Sequence, residues 1–442
     1  MDLTNGPIVN GAVSFWWSQV GRPARRPALE GDLDCDVCIV GGGLTGLWTA
    51  YWLARHDPSL DIVVLEAEFA GFGASGRNGG WLSAQLAGAT EPSLVAAMER
   101  AVDEVIAICS DEGIEADVVK SGVLHVARSP AQLVRMREQY SGDLLDAADT
   151  AERVQVDGAL GAVFSPHAAR VHPARLVDGV ARAVERRGVR ILERTRVSRI
   201  DPRAATTDRG IVRAPVVLRC LEGYTASIRG QRRTWLPMNS AMVVTEPLPG
   251  RMWDTIGWNG SELLGDCANA YCYAQRTADG RIALGGRGVP YRFGSRTDTN
   301  GRTQDWTIDS LVRTLHSLFP ATRDAGIEHA WCGVLGVPRN WRASVSFDPA
   351  SGLGSAGGYV GSGLTTTYLA GGTLADLVLG RDSKRVTLPW VGQPVRRWEP
   401  EPFRWLGVRA MYGLYRAADR REDAGLEHPS RLARLGDHLT GR

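Results

Sequence analysis

Residues 37–54 read VCIVGGGLTGLWTAYWLA, eighteen positions without a charge. Length and polarity alone suit a membrane span, for which roughly 20 apolar residues are needed. The glycines decide otherwise. Val37 to Val40 is a short apolar run without helical period, Gly41-Gly42-Gly43 interrupts it, and Leu47, Trp48, Tyr51 and Trp52 then recur at helical spacing. The stretch reads as strand, tight turn, helix. Gly41, Gly43 and Gly46 fill G-x-G-x-x-G: the first glycine permits the turn, the second lets a pyrophosphate approach the backbone, and the third lets helix and strand pack closely. The N-terminus of a helix opening at Leu44-Thr45 then faces the anion.

Outward from this stretch, His56-Asp57-Pro58 stops the helix and Ile62 to Leu65 reads as a second strand ending in Glu66-Ala67. An acidic residue there accepts hydrogen bonds from the ribose of an adenosine and disfavours a 2′-phosphate, which argues against NADP. Gly71 to Trp81, GFGASGRNGGW, follows directly. Clustered glycines beside an anion site let backbone N–H groups point at phosphate. Arg77, the one charge in that run, pairs either with the pyrophosphate or with a nearby carboxylate. Ser93 to Ile108 has the period of an amphipathic helix, and His172-Pro173 opens another that Gly188 stops.

Between Ser240 and Val334 the pattern changes to antiparallel strands, with a hairpin from Tyr271 to Gly286 turning at Asp279-Gly280. Tyr271 and Tyr273 share one face of its first strand, lining a pocket or filling a core. A helix over 304–319 covers this sheet. Near the end, SAGGYVGSGLTTTYLAGG again runs from a strand into a glycine turn, Gly361-Ser362-Gly363, and a helix beginning at Leu364-Thr365-Thr366. Two glycine turns meeting one ligand suit a cofactor longer than a mononucleotide. The first 33 residues read as an irregular arm anchored by Phe15, Trp16 and Trp17, and Phe403 to Arg421 as an amphipathic, Arg-rich helix packed on the body.

At 442 residues the chain fits two domains, and its net charge of +2 offers no electrostatic case for nucleic acid or an anionic membrane. Seven scattered cysteines and an opening MDLTNGPIVN without a secretory pattern set a reducing, cytoplasmic location as the expectation. Cys35 and Cys38 form C-x-x-C, but residues three apart on a strand point to opposite faces, so no metal or disulfide is expected there. Only Lys120 and Lys384 are lysines, which confines any lysine chemistry to two positions.

With its glycine segments in place, the chain resembles the FAD-dependent oxidoreductases of the D-amino-acid oxidase, glycine oxidase and sarcosine oxidase superfamily, and within it the gamma-glutamylputrescine oxidoreductase branch. The residues that carry the resemblance are Val40 to Gly46, Val64-Leu65-Glu66, Gly73 to Gly80, the Asp279-Gly280-Arg281-Ile282 hairpin and Gly358 to Gly372. It implies an α/β chain: a Rossmann-like FAD-binding domain (1–90, 166–235, 336–395) interleaved with an antiparallel-sheet α+β substrate domain (91–165, 236–335) and a helical tail (396–442). It also implies a non-covalent FAD. Gly41, Gly43, Leu44, Thr45 and Gly46 would hold its pyrophosphate, Glu66 and Ala67 the ribose, and Ser75, Gly76, Arg77, Asn78, Gly79 and Gly80 the pyrophosphate and ribityl region. Val197 would meet the adenine through its backbone, and Gly361, Ser362, Gly363, Leu364, Thr365 and Thr366 the isoalloxazine, with the helix dipole toward reduced flavin. The run Arg219-Cys220-Leu221-Glu222 departs from the small residues usual there, and the two charges are expected to pair with each other. Some relatives tether FAD through a cysteine near the strand of Cys332; here a plain buried thiol is expected.

The chemistry so implied is hydride transfer from the carbon beside a substrate nitrogen to flavin N5, giving an imine that water hydrolyses. The substrate would be a small amine or amino acid, gamma-glutamylputrescine-like or a secondary amine, and the acceptor oxygen or another oxidant. Trp81, Tyr271, Tyr273, Arg287 and Trp331 are the candidate pocket residues. Two alternatives stand beside this reading. One is a dehydrogenase acting on an aminophosphonate or N-methyl amino acid with a non-oxygen acceptor. The other is a flavin-carrying subunit with little turnover. No metal site is expected.

Overall fold

The structure, a computed structural model, describes residues 7–286, 291–297 and 300–440, with backbone alone for 437–440. Two large sheets organise it. A six-stranded sheet has the order Arg190–Leu192, Ile62–Leu65, Val37–Val40, Val216–Arg219, Leu353–Gly357, Ser344–Asp348. Its first five strands run parallel and the last is antiparallel. Val37–Val40 is buried on both faces, as the central strand of a parallel sheet must be: Val37 and Ile39 pack into one core and Cys38 and Val40 into another.

The uncharged stretch is explained by what lies on it. Helix Leu44–His56 is buried along eleven residues, Leu44 to Ala54, and helix Gly363–Val378 packs across it. The two backbones come so close at Gly371 that a Cβ there would lie 2.8 Å from the amide nitrogen of Thr49. Trp48, Trp52 and Tyr368 fill the remaining space, with Trp48 and Tyr368 edge to face at 5.2 Å. No described helix is long and apolar enough to cross a membrane.

The second sheet has nine strands, drawn from 123–165 and 236–337 and, outside the expected boundary, from Val9–Asn10, which pairs with the strand Ile327–Val337. It is antiparallel except where Val9–Asn10 joins Ile327–Val337 and where Val123–Ala127 joins Leu263–Asp266. Helix Asp305–Leu318 covers one face with Ile308, Leu311, Val312 and Leu315. The other face looks toward the six-stranded sheet. One rung on that face carries His125, Gly265, Tyr273, Gly285, Met242 and Trp331 in register.

Three expectations change. The arm around Phe15 is a short helix, Phe15–Val20, because the Ser14 side chain caps it by accepting the N–H of Trp17. Cys35 and Cys38 pack in one cluster, since the chain bends between the strands Leu33–Asp34 and Val37–Val40; both thiols are free, and burial pushes Cys35 up to about 12. Tyr271 lies just before its strand, which begins at Cys272. The C-terminal helix Phe403–Asp423 lies on the body, where buried Glu422 receives Arg135 at 2.5 Å and Asp419 accepts from Asn269 and Ala270.

Candidate active site

The site lies at the carboxyl ends of the parallel strands, beside the point where the sheet order reverses. Gly41, with φ +115°, makes the turn; a Cβ there would lie 2.5 Å from the Cys220 carbonyl. A Cβ on Gly46 would lie 2.1 Å from the Gly41 carbonyl oxygen, so the third glycine is required by helix–strand packing. Glu66 accepts the N–H of Gly42 at 2.8 Å through Oε2 and that of Glu68 at 3.0 Å through Oε1. Desolvation raises its pKa to about 7. Ser75, from the second glycine segment, accepts the N–H of Leu44 at 2.9 Å, which brings the two segments together at the helix N-terminus.

The loop 71–80 is held from behind. Ser14 Oγ donates to the Gly76 carbonyl (2.7 Å), Trp331 Nε1 to Arg77 (2.8 Å), Trp16 Nε1 to Asn78 (2.8 Å), Gln275 Nε2 to Gly79 (2.7 Å) and the Val171 N–H to Gly80 (3.0 Å). Five consecutive carbonyls are thus satisfied by donors from the N-terminal helix, the nine-stranded sheet and the segment before Pro173. Trp17 adds a bond to Gly71, and Asn78 staples the loop internally through Ala74, Ser75 and Gly80.

This backing reassigns two residues. Arg77 is 1% exposed and donates to the carbonyls of Phe72 (2.7 Å) and Cys332 (3.4 Å), with its guanidinium over the Phe72 ring. It ties the loop to the nine-stranded sheet instead of facing phosphate, because the backbone around it turns its side chain inward. Trp331 is fully buried between Phe15 and Trp16, so it supports the loop and is no pocket wall.

The third segment lies alongside the first, and the line between the three glycine segments is the candidate cofactor furrow. Ser362 is the N-cap of helix Gly363–Val378, Gly361 has φ +108°, and the Tyr359 hydroxyl lies 3.2 Å from Thr45 Oγ1 on the first helix. Glu66, Ala67, Ser75, Asn78, Gly361, Ser362 and Gly363 all keep some exposure along this line, while Gly76, Gly79, Gly80, Leu364, Thr365 and Thr366 are buried in its walls. Val197 is buried at the start of strand Val197–Asp201, whose neighbour Thr195 donates its N–H to the Glu66 carbonyl. Two glycine turns that each open a helix, with an acidic side chain beside the first, fit FAD.

Beside the furrow runs an aromatic wall: Tyr273 to Trp81 (6.0 Å), Trp81 to His125 (6.1 Å), His125 stacked on Tyr140 (4.0 Å). Tyr273 shares a hydrogen bond with Ser240 at 2.8 Å, and Trp81 Nε1 donates to the Ala274 carbonyl. His125 is buried, with the Gln85 amide 3.3 Å from its Nε2, and desolvation pulls its pKa down to about 3. Arg287 lies outside the described residues.

A comparison with protein families matches residues 36–377 to the family described as DAO, FAD dependent oxidoreductase. The chain belongs to this family. Its cofactor is FAD, and its members act as oxidoreductases on amines or amino acids. The gamma-glutamylputrescine oxidoreductase of Escherichia coli K12 is 29% identical over 91% of this chain and 97% of its own length. Glycine oxidase from Geobacillus kaustophilus superposes with TM-score 0.69 at 20% identity, over 79% of this chain and 96% of that one. L-proline dehydrogenase from P. horikoshii gives 0.67 at 18%, over 80% and 96%. The same fold therefore serves enzymes named as oxidase and as dehydrogenase.

Within this family's frame, Cys332 faces away from the furrow: its thiol sits in the core under helix Asp305–Leu318, 3.3 Å from the Arg302 carbonyl. Lys120 pairs with Asp103 at the surface and Lys384 is exposed. Arg219 and Glu222 do not pair. Arg219 donates to Gln231 and stacks on Trp235, and burial pulls its pKa to about 10, while Glu222 accepts backbone N–H groups. Sequence reading missed His125, Tyr140, Ser240 and Gln85; Gly285, under the Tyr273 ring, was the available signal, since a side chain there would leave no room.

Proposed function

We propose that the chain oxidises the C–N bond of a small amine, a gamma-glutamyl amine before others, or of a secondary amine or amino acid, to an imine that water hydrolyses. The observation carrying this reading is the aromatic wall beside the furrow. Ring faces attract a cationic amine along its approach, and His125, held neutral by burial, adds no opposing charge. Ser240 orients Tyr273, and Trp81 is fixed through its ring nitrogen, so the wall keeps its shape without substrate. FAD, bound along the glycine turns and held there without a covalent link, supplies the two-electron acceptor. The residues of this chain bind, orient and exclude water; no side chain needs to remove a proton if the amine arrives neutral.

Anaerobic mixing with polyamines, their gamma-glutamyl conjugates, secondary amines and amino acids tests the reading. Bleaching of the flavin band by an amine of this set is expected, and a flavin that none of them reduces overturns it.

The two surface lysines favour a second reading of the acceptor, since neither is available to activate oxygen over the flavin. Electrons would then pass to a quinone or protein. Turnover with a dye far above turnover with oxygen is the expected result; stoichiometric peroxide would sink it.

A further inference from the structure

Glu222 stands where the chain leaves strand Val216–Arg219, two residues past Cys220, whose N–H bonds the Val40 carbonyl beside the glycine turn. It is a non-glycine residue with φ +44°. That conformation is uncommon and costs free energy, so neighbouring contacts must hold it. They are three backbone N–H groups. Oε1 accepts from Gly358 at 2.8 Å and Tyr359 at 2.9 Å, and Oε2 from Gly336 at 2.5 Å. Gly336 is the last residue but one of strand Ile327–Val337 in the nine-stranded sheet; Gly358 and Tyr359 open the glycine turn before helix Gly363–Val378. A Cβ on Gly336 would lie 2.1 Å from Glu222 Oε2, so the glycine leaves room for the carboxylate. Tyr359 continues the chain of contacts to Thr45 on the first helix. One carboxylate therefore joins the substrate sheet, the closing turn and the pyrophosphate helix.

We propose that Glu222 is a positioning residue for the flavin: it fixes the turn at Gly358–Gly363 against the substrate sheet and places a negative charge at the wall of the FAD furrow. The inference rests on FAD binding along the three glycine segments. Desolvation pushes its pKa up to about 7 while the three N–H donors favour the ionised form, so the negative charge stands above pH 7, where the potentials are to be compared. A carboxylate in a low-dielectric wall disfavours the extra negative charge of reduced flavin.

Two variants test it, both compared with wild-type protein that holds FAD and is reduced by dithionite. Glu222→Gln keeps the shape but sets an NH2 group against an N–H donor and removes the charge. Its FAD dissociation constant should rise about tenfold. Its flavin midpoint potential should rise as well, by about 30 mV for a tenfold shift in the two-electron equilibrium. Gly336→Ala displaces the carboxylate and keeps the charge, so FAD binding should weaken without the rise in potential. Glu222→Gln with wild-type affinity and potential overturns the proposal. If that variant does not fold, Gly336→Ala with unchanged FAD affinity overturns it equally. Wild-type protein without flavin would instead refute FAD binding itself.

Discussion

The indole nitrogen of Trp16 donates to the carbonyl oxygen of Asn78 at 2.8 Å, across 62 residues of chain. It is one of five donors that turn the carbonyls of residues 76–80 outward, and a loop so held has its opposite side available to an anionic cofactor. Trp16→Phe keeps the ring packing on Trp331 and His172 and removes the donor. A buried carbonyl left without its partner costs about 1–3 kcal/mol. If half of that falls on the bound state, FAD affinity drops roughly fivefold. Fluorescence titration of the apoprotein with FAD reads it, and an unchanged constant would show that the arm is packing alone.

The glycine positions divide sharply. Gly46→Ala drives a methyl to 2.1 Å from a backbone oxygen, which neither strand nor helix can yield, whereas a Cβ on Gly363 meets nothing within 4 Å. Gly46→Ala should lose FAD and at least about 3 kcal/mol of stability. Gly363→Ala, at a helix start without a strained φ, should melt within a few degrees of wild type. Thermal unfolding of both, with and without FAD, distinguishes a packing glycine from one whose role is access to the cofactor.

Such local requirements are what the sequence displays. A glycine that must clear a carbonyl, an apolar run broken into strand and helix, and Asp279-Gly280 in its hairpin all act within a few residues, and each is found where its pattern stands. The side chains misread are those whose partners are remote. Arg77 reaches Cys332, Trp331 reaches back to Arg77, and Glu222 finds N–H groups at 336, 358 and 359 instead of its neighbour Arg219. Nothing in local spacing encodes which backbone carbonyl or N–H group will stand nearby after folding. For Cys35 and Cys38 only the placement on opposite faces failed, and for the converse reason: alternation was assumed through a bend.

Glu66 makes binding depend on pH. Its folded pKa of about 7 against 4.5 ordinarily means that the cofactor-free protein keeps this carboxyl protonated after the unfolded chain has ionised it. Its contribution is therefore fully present below pH 4.5 and lost as pH rises to 7. Ribose hydroxyls prefer the ionised acceptor, so the FAD dissociation constant should fall as pH rises toward 7 and level off above it. Glu66→Gln should flatten that dependence while weakening binding. A titration series from pH 5.5 to about 8.5 decides it, the window being set by the carboxyl's shift.

Cys332 should leave FAD extractable. The thiol faces the core beneath helix Asp305–Leu318 while its neighbour Trp331 faces the cofactor loop, as alternation along a strand demands. Acid precipitation of wild-type protein should release all flavin into the supernatant, and Cys332→Ala should retain the same flavin content when purified. Flavin in the pellet, absent from the variant, would reverse the assignment.

The ring of Tyr273 lies between two glycines. A Cβ on Gly285 would sit 2.3 Å from its Cζ and one on Gly79 2.7 Å from its Cε2, so the Cε2 edge of the ring is seated against both glycine backbones. Gly285→Ala must therefore push the ring off its seat and break the bond to Ser240, while Tyr273→Phe removes that bond and leaves the ring in place. If the ring face binds the amine, KM should rise about tenfold in Gly285→Ala, the worth of a well-placed aromatic contact. Tyr273→Phe should cost only about twofold to fivefold, as for one exposed-edge hydrogen bond. FAD affinity should stay constant in Tyr273→Phe, because Gly79 keeps its carbonyl bond to Gln275. The opposite order, with weakened FAD in both variants and KM unmoved, would make Tyr273 a support of the cofactor loop and move the amine site to another part of the wall.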